Sequence, residues 1–125
     1  MKHDEAPAAP RSVHAFADEI ARLDAVATAA AVCAGELHPR EVVGSAIERA
    51  LALEPELRAV AAPDFERAMA TAAGGASGPF AGVPTFIKDM IDVAGLPTRQ
   101  GTQALERAAP ATKTEPLAAQ MFDMG

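Results

Sequence analysis

The sequence of 125 residues has no tryptophan or tyrosine, five phenylalanines and one cysteine. Because Cys33 stands alone, the chain can form neither an internal disulfide nor a cluster of thiolate metal ligands. Three histidines, His3, His14 and His38, lie too far apart in sequence to indicate a metal pair. We therefore expect no metal site and no cofactor.

Basic residues are also scarce, with 11 Lys and Arg against 17 Asp and Glu and a net charge of −6. Such a field repels phosphate backbones and anionic membranes, so no nucleic-acid partner is expected. No apolar run approaches the roughly 20 residues that a membrane span requires. Residues 1–5 lack the basic start and apolar stretch of a signal peptide. These features predict a cytoplasmic protein without a membrane partner and leave homo-oligomerisation open.

Large apolar side chains are also scarce. Half of the chain is hydrophobic, but 31 of its residues are alanine. Leu, Ile, Val and Phe together account for only a fifth of the residues, a share at which chains of high net charge approach disorder. The composition therefore favours either a helical domain with closely packed backbones or a part of a larger fold.

The first part of the chain has clear helix signals. Residues 1–14, with prolines, alanines and mixed charges, are predicted to form a mobile tail. Asp24 is the expected N-cap of a first helix that runs through Ala34, with Cys33 on its buried stripe and Gly35 as the left-handed stop. A buried cysteine of this kind is interpreted as a small core residue.

Proline marks the bounds of the next elements. Pro39 is expected at the first position of a second helix, which should end before Pro55. Residues 57–61 are predicted to form a short strand, and Asp64 should open a third helix that continues to about Ala73. The predicted order is helix, helix, strand, helix.

Glycine and proline dominate the segment from Gly74 to Gly101, which predicts backbone turns. After it, Thr114 is the expected N-cap of a last helix with Leu117, Met121 and Met124 facing inward. The serine within the glycine-rich part, Ser77, is interpreted as a turn residue.

One of the three lysines, Lys88, lies inside the apolar stretch from Val83 to Val93. In a strand it would share a face with Phe86, in a run that should pack inward. Burial disfavours the charged form of an amine, and a neutral lysine can act as a general base. The alternative is structural: Lys88 pairs with Asp89 or extends to solvent from an edge strand.

The residues around Lys88 read G-P-F-A-G-V-P-T-F-I-K-D from Gly78 to Asp89, followed by I-D-V-A-G-L-P-T and then G-T. This string closely resembles the amidase signature family, whose members carry G-P-L-x-G-V-P-x-x-I-K-D and then D-V-x-G-x-x-T-x-x-G-S. The resemblance extends back to the helix that follows Gly35 and to residues 57–60. It implies an α/β fold, of which this chain would hold the N-terminal helices and the first strands of a mixed sheet flanked by helices.

In that family the lysine of this segment is the base of a Ser-cisSer-Lys triad, and Lys88 aligns with it. The resemblance implies that the neutral amine takes a proton relayed through a serine with a cis peptide bond. A second serine then attacks the amide carbonyl, and water hydrolyses the resulting acyl-enzyme. The implied activity is that of an amidase acting on non-peptide carbon–nitrogen bonds of a small-molecule amide, without a cofactor.

Both triad serines lie downstream of this segment in the family, and the chain ends at Gly125 before reaching them. Residues 15–125 are therefore expected to be the N-terminal part of an amidase domain, incomplete at the C-terminus and inactive alone. Two alternatives stay open. One is a protein similar to the amidase-type subunit of glutamyl-tRNA amidotransferase, and the other is a non-catalytic helical module that binds a partner.

Overall fold

The structure, a computed structural model, describes residues 18–75 and 77–125. The predicted mobile tail, residues 1–14, lies outside these ranges. Within them the chain is mostly helical and has no β-strand. None of its helices there is long and apolar enough to cross a membrane. The helices are α1 (Ala25–Cys33), α2 (Pro39–Leu57), α3 (Phe65–Gly74) and α4 (Pro116–Asp123), with short 3-10 turns at Ile20–Arg22 and Gln103–Leu105.

The caps of α1 are those that the sequence predicts, but its buried face is different. Asp24 accepts a hydrogen bond from the Ala27 N–H at 2.8 Å, and Gly35 follows the helix with a left-handed φ of 72°. The buried residue is Thr28, whose hydroxyl donates to the Asp24 carbonyl oxygen. Cys33 is exposed, because it lies about 140° around the helix from that face. The prediction of a buried Cys33 is wrong.

The core is small and lies mainly along α2, which packs against α3 and the 3-10 turn before α1. Two valines of α2, Val42 and Val43, are 2% and 6% exposed. No fully buried side chain in the described ranges is larger than valine, which agrees with the scarcity of large apolar residues. The buried apolar residues are Val42, Val43, Ala72, Val93 and Ala118.

The C-terminal end of α2 passes the proline at which it was expected to stop. Pro55 lies inside the helix, which continues to Leu57, so the predicted end before Pro55 is wrong. Proline removes one backbone donor, but here it lies in the final turn. That turn is closed by the N–H of Arg58, which bonds to the Glu54 carbonyl oxygen at 2.9 Å with Arg58 in the left-handed conformation.

The predicted strand at residues 57–61 is absent, and so is a strand around Lys88: neither segment has a ladder partner in the part of the chain that the structure describes. The first residue of the 57–61 segment, Leu57, is the last residue of α2. The N–H groups of Ala59 and Val60 bond to the Glu54 carboxylate at 3.1 Å each. Residues 83–88, which hold Lys88, form neither helix nor strand. The sheet of the expected α/β fold is therefore not seen in this structure.

The turn-rich segment after α3 is confirmed, and α3 itself lies within a residue of its predicted end. A turn at Gly82 brings the segment onto the start of α2: its φ is +80°, and a Cβ there would lie 2.9 Å from the Cβ of Pro39. Both facts require glycine, because a side chain would be strained and would collide with the proline ring.

The last helix, α4, packs against the rest of the described chain through an alanine, Ala118. Ala118 is 0% exposed, whereas Leu117 and Met124, both predicted to face inward, are 54% and 42% exposed. An alanine on the inner face lets the helix backbone approach closely. The predicted N-cap, Thr114, instead accepts a hydrogen bond from the Ala94 N–H at 3.0 Å, and the N-cap position falls to Glu115.

Candidate functional site

Lys88 is exposed, contrary to the prediction that it packs inward. The preceding Phe86 is 69% exposed, so the run around the lysine is not covered by the described residues. The Lys88 carbonyl oxygen accepts hydrogen bonds from the N–H groups of Met90 at 2.7 Å and Ile91 at 3.1 Å. A tight turn therefore follows the lysine directly and leaves its side chain at the surface.

Of the two structural alternatives for Lys88, the ion pair with Asp89 is not formed between these two described residues, whereas extension of the side chain to solvent agrees with its exposure. The Asp89 carboxylate instead accepts two backbone N–H groups. Its Oδ1 is 2.8 Å from the N of Arg99, and its Oδ2 is 3.3 Å from the N of Gly101. The Lys88 side chain is therefore exposed, whereas the Asp89 side chain binds a turn that lies 10 to 12 residues further along the chain.

An open cavity of about 510 Å³ lies beside Lys88. Three stretches of backbone line it, namely residues 59–62, residues 86–89 and parts of residues 91–98. Its surface is mainly apolar, and the polar side chains on it are Lys88, Asp89 and Thr98. Part of the predicted strand, residues 59–61, and the segment around Lys88 therefore meet at one cavity, and Lys88 lines it.

A second cavity, of about 410 Å³, lies between α2, α3 and residues 84–86. The exposed ring of Phe86 lines both cavities, so it separates the lysine side from the helical side. Apolar surface on both sides of one exposed phenylalanine is typical of a region that other protein groups cover.

The serines of the described residues do not line the lysine cavity. Ser77 is exposed and lies in an irregular segment, as its interpretation as a turn residue predicts. Ser45 lies on α2, and its hydroxyl donates to the carboxylate of Asp18. No group of three or more His, Cys, Asp or Glu side chains suited to a metal ion occurs in residues 18–75 and 77–125.

Asp18 ties the start of the described chain to α2. It accepts hydrogen bonds from Ser45, from the Ile20 N–H at 3.0 Å and from the guanidinium of Arg49. The Ser45 hydrogen bond lowers the pKa of Asp18; burial opposes this, and the Ile20 N–H and the Arg49 charge add to the lowering. This cluster is a structural tether and is separate from the lysine cavity.

Sequence reasoning missed two contacts that shape the site. The Arg99 guanidinium donates to the Ala61 carbonyl oxygen at 2.7 Å, and its Nε is buried without a hydrogen-bond partner in the described ranges. The Thr98 hydroxyl donates to the Asp92 carboxylate at 2.6 Å. No periodic pattern marks such contacts. In the sequence, these contacts were indicated only by the position of Asp92, Thr98 and Arg99 in the second segment of the family motif.

The comparisons with known proteins match the part of the chain that holds Lys88 and the cavity beside it. The family model described as Amidase matches residues 41–121, which include α2, Lys88 and most of α4. The chain belongs to the amidase family.

Several curated proteins are similar over most of the chain. "Putative amidase AmiC" of Mycobacterium leprae is 48% identical over 93 residues, which cover 74% of this chain and 20% of that protein. A glutamyl-tRNA(Gln) amidotransferase subunit of Acidothermus cellulolyticus is 33% identical over 96 residues, 70% of this chain and 19% of that protein. The 6-aminohexanoate-cyclic-dimer hydrolase of Pseudomonas sp. (strain NK87) is 43% identical over 67 residues, 54% of this chain and 13% of that protein. The chain thus spans about a fifth of the length of the first of these relatives.

Proposed function

We propose that residues 15–125 are the N-terminal part of an amide hydrolase in which Lys88 is the general base. The observation that carries this proposal is the position of Lys88: its amine is exposed at the wall of an apolar cavity, within the family's I-K-D segment. An amine that carries out proton transfer must be reachable from the cavity in which the amide lies, and its side chain meets this requirement.

The proposed reaction is covalent catalysis by a serine. In this proposal the Lys88 amine, as the base, takes a proton relayed from the hydroxyl of the nucleophilic serine through a second serine, while the serine oxygen bonds to the amide carbon. The carbon–nitrogen bond then breaks, and the leaving amine takes the proton. Water attacks the acyl-serine, which releases the acid and restores the serine. No serine of the described residues lines the cavity. Both serines of the proposed reaction would therefore come from the part of an amidase beyond these residues.

The proposed fold of the complete domain is α/β. Residues 59–61 and 86–88 line the same cavity. The segments that hold them, 57–61 and 83–88, lack ladder partners in the described chain, which supports their pairing as strands once the rest of an amidase domain is present. The exposed ring of Phe86, between two apolar cavities, supports the same arrangement. In this proposal the helices described above form one flank of the sheet.

The proposed substrate is a small-molecule amide, as expected for this family. A second candidate is the reaction named for the Acidothermus relative, that of a glutamyl-tRNA(Gln) amidotransferase, which is favoured by 33% identity over 70% of this chain. The net charge of −6 gives no support to a contact with tRNA. Hydrolysis of simple amides by the gene product without tRNA or other subunits would favour the first candidate, and strict dependence on them the second.

The test is Lys88→Ala in the complete gene product that contains this chain, with Lys113→Ala as the matched control because Lys113 is an exposed loop lysine. Ammonia release from aliphatic and aromatic primary amides gives the rate, and hydroxamate formation with hydroxylamine detects the acyl-enzyme. We expect Lys88→Ala to lower kcat/KM by about a hundredfold or more, the usual contribution of a general base. Lys113→Ala should behave as wild type.

Two results would contradict the proposal. One is near-normal turnover by Lys88→Ala, and the other is the absence of amide hydrolysis by the complete wild-type gene product across this set of amides. A circular dichroism spectrum of each variant shows whether a loss of activity comes from removal of the base or from unfolding of the protein.

A further inference from the structure

We propose that Asp89 is a positioning residue for Lys88. Its carboxylate holds the turn at residues 99–102 against the lysine segment, so that the direction of the Lys88 side chain depends on this contact. The inference rests on the proposed role of Lys88 as a base, and it adds a residue that acts on the base through the backbone.

The turn that Asp89 binds has an unusual backbone. The N–H of Thr102 bonds to the Arg99 carbonyl oxygen at 3.1 Å, and the two residues between them, Gln100 and Gly101, have φ of 53° and 65°. Two successive left-handed residues form a β-turn of type I′. Asp89 accepts the N–H groups of Arg99 and Gly101, so a charged acceptor compensates for a conformation that is costly at Gln100.

The same turn reaches the opposite wall of the cavity. The backbone of Arg99 is held by Asp89, and its guanidinium donates to the Ala61 carbonyl oxygen at 2.7 Å. Residues 59–62 and 86–89, which line the lysine cavity, are therefore joined through Arg99. Loss of the hydrogen bonds from Asp89 to the turn would therefore also remove this connection between residues 59–62 and residues 86–89.

Lys88 is coupled to this clamp through the backbone. Asp89 directly follows it, and the Lys88 carbonyl oxygen is fixed by the N–H groups of Met90 and Ile91. The Asp89 contacts and this tight turn both restrain the peptide group that follows Lys88, and through it the direction of the Cα–Cβ bond of Lys88. A base displaced by about 1 Å can lose about a hundredfold in rate, so this orientation bears directly on catalysis.

The first test needs no catalysis. Amide hydrogen exchange at Arg99 and Gly101 is measured in wild type, Asp89→Ala, Asp89→Asn and the control Asp123→Asn, whose exposed carboxylate lies at the end of α4. Loss of a charged acceptor should raise exchange at both amides by about tenfold or more in Asp89→Ala. Asp89→Asn keeps one acceptor oxygen and should lie between. Unchanged exchange in both Asp89 variants would overturn the clamp.

The second test measures orientation in the complete gene product. Asp89→Ala should lower kcat by about a hundredfold with little change in KM, and Asp89→Asn should recover part of that loss. Asp89→Glu should not recover it, because its longer side chain moves the carboxylate. A purely structural role would instead lower the free energy of unfolding and leave the kcat of the folded fraction unchanged.

The outcomes separate the two proposals. If Lys88→Ala keeps normal turnover, the proposed base is wrong, and the exchange experiment still decides whether Asp89 holds the turn. If Lys88→Ala is inactive while Asp89→Ala keeps the wild-type kcat, the base stands and the positioning role is overturned.

Discussion

Residues 18–75 and residues 77–125 are stabilised by different kinds of contact. The first region contains three α-helices, and two of the three buried valines, Val42 and Val43, lie on α2. The second has one α-helix, five glycines with a left-handed φ, and hydrogen bonds from backbone N–H groups to side chains 10 to 23 residues away. The corresponding bonds of the first region span six residues or fewer. Lys88 lies in the second region. The candidate base is therefore positioned by turns and polar contacts, whose geometry depends on single residues.

The difference has a consequence for how each region responds to mutation. Helical regions distribute their stability over many equivalent hydrogen bonds and buried methyl groups, so single changes have graded effects. A turn fixed by one glycine or one carboxylate loses its geometry in a single step. Substitutions of the same size should therefore have unequal effects in the two regions.

The largest effect is expected at Gly82, where the turn-rich region contacts the start of α2. Gly82→Ala places a Cβ at a φ of +80° and 2.9 Å from the Cβ of Pro39. The strain of such a backbone is about 1–3 kcal/mol, and the contact adds to it, so we expect a loss of about 3 kcal/mol in the free energy of unfolding. Urea denaturation of the chain followed by circular dichroism measures it.

The control for this prediction is the same change inside α2. Nothing lies within 4 Å of a Cβ at Gly44, so Gly44→Ala should stabilise the chain by roughly 0.5–1 kcal/mol through better helix propensity. Equal and small effects at the two glycines would show that the turn at Gly82 is not a fixed part of the fold.

An intermediate effect is expected for Val42→Ala in the helical core. Val42 is 2% exposed, and the change removes two buried methylene equivalents without disturbing α2, because alanine is the better helix former. We expect a loss of roughly 2 kcal/mol from burial and the cavity left behind. The same change at exposed Val26 in α1, which is 68% exposed, is its control. A loss at position 26 as large as that at position 42 would contradict the assigned core.

The smallest effect concerns the pH dependence of the tether at Asp18. Its pKa is lowered in the folded chain by the Ser45 hydrogen bond, so the ionised carboxylate stabilises the fold above the pKa of the unfolded state. That contribution is lost as pH falls through the lower, folded-state pKa. The urea midpoint of wild type should therefore fall more steeply than that of Asp18→Asn between about pH 5 and pH 3. Identical slopes would show that the tether is not formed in solution.

Signals within a few residues of one another allowed the helices to be predicted. Asp24 and Gly35 bound α1, and Pro39 starts α2, because caps and N-terminal prolines act on backbone groups of the same turn. The end of α2 was mispredicted because the Glu54 carbonyl and carboxylate extend the helix past Pro55. Cys33 was placed on the wrong face because alanine surrounds α1, and a stripe of small residues does not define one direction.

The site was predictable only in part. The motif located Lys88, and the structure brings residues 59–62 and 86–89 to one cavity beside it. Its exposure could not be predicted, because burial depends on elements outside the motif that cover the segment. The contacts from Asp89 to Arg99 and from Arg99 to Ala61 span 10 and 38 residues of sequence, and no local pattern encodes them. Whether residues 57–61 and 83–88 become strands depends likewise on their partners.

The Glu54 carboxylate has a consequence for the behaviour of this chain in solution. A segment that is ready to join a sheet exposes backbone donors, and exposed donors of this kind recruit other chains and lead to aggregation. At Ala59 and Val60 those donors are occupied by a negatively charged side chain from the preceding helix. Any strand that paired with this segment through the same two N–H groups would therefore have to displace the Glu54 carboxylate.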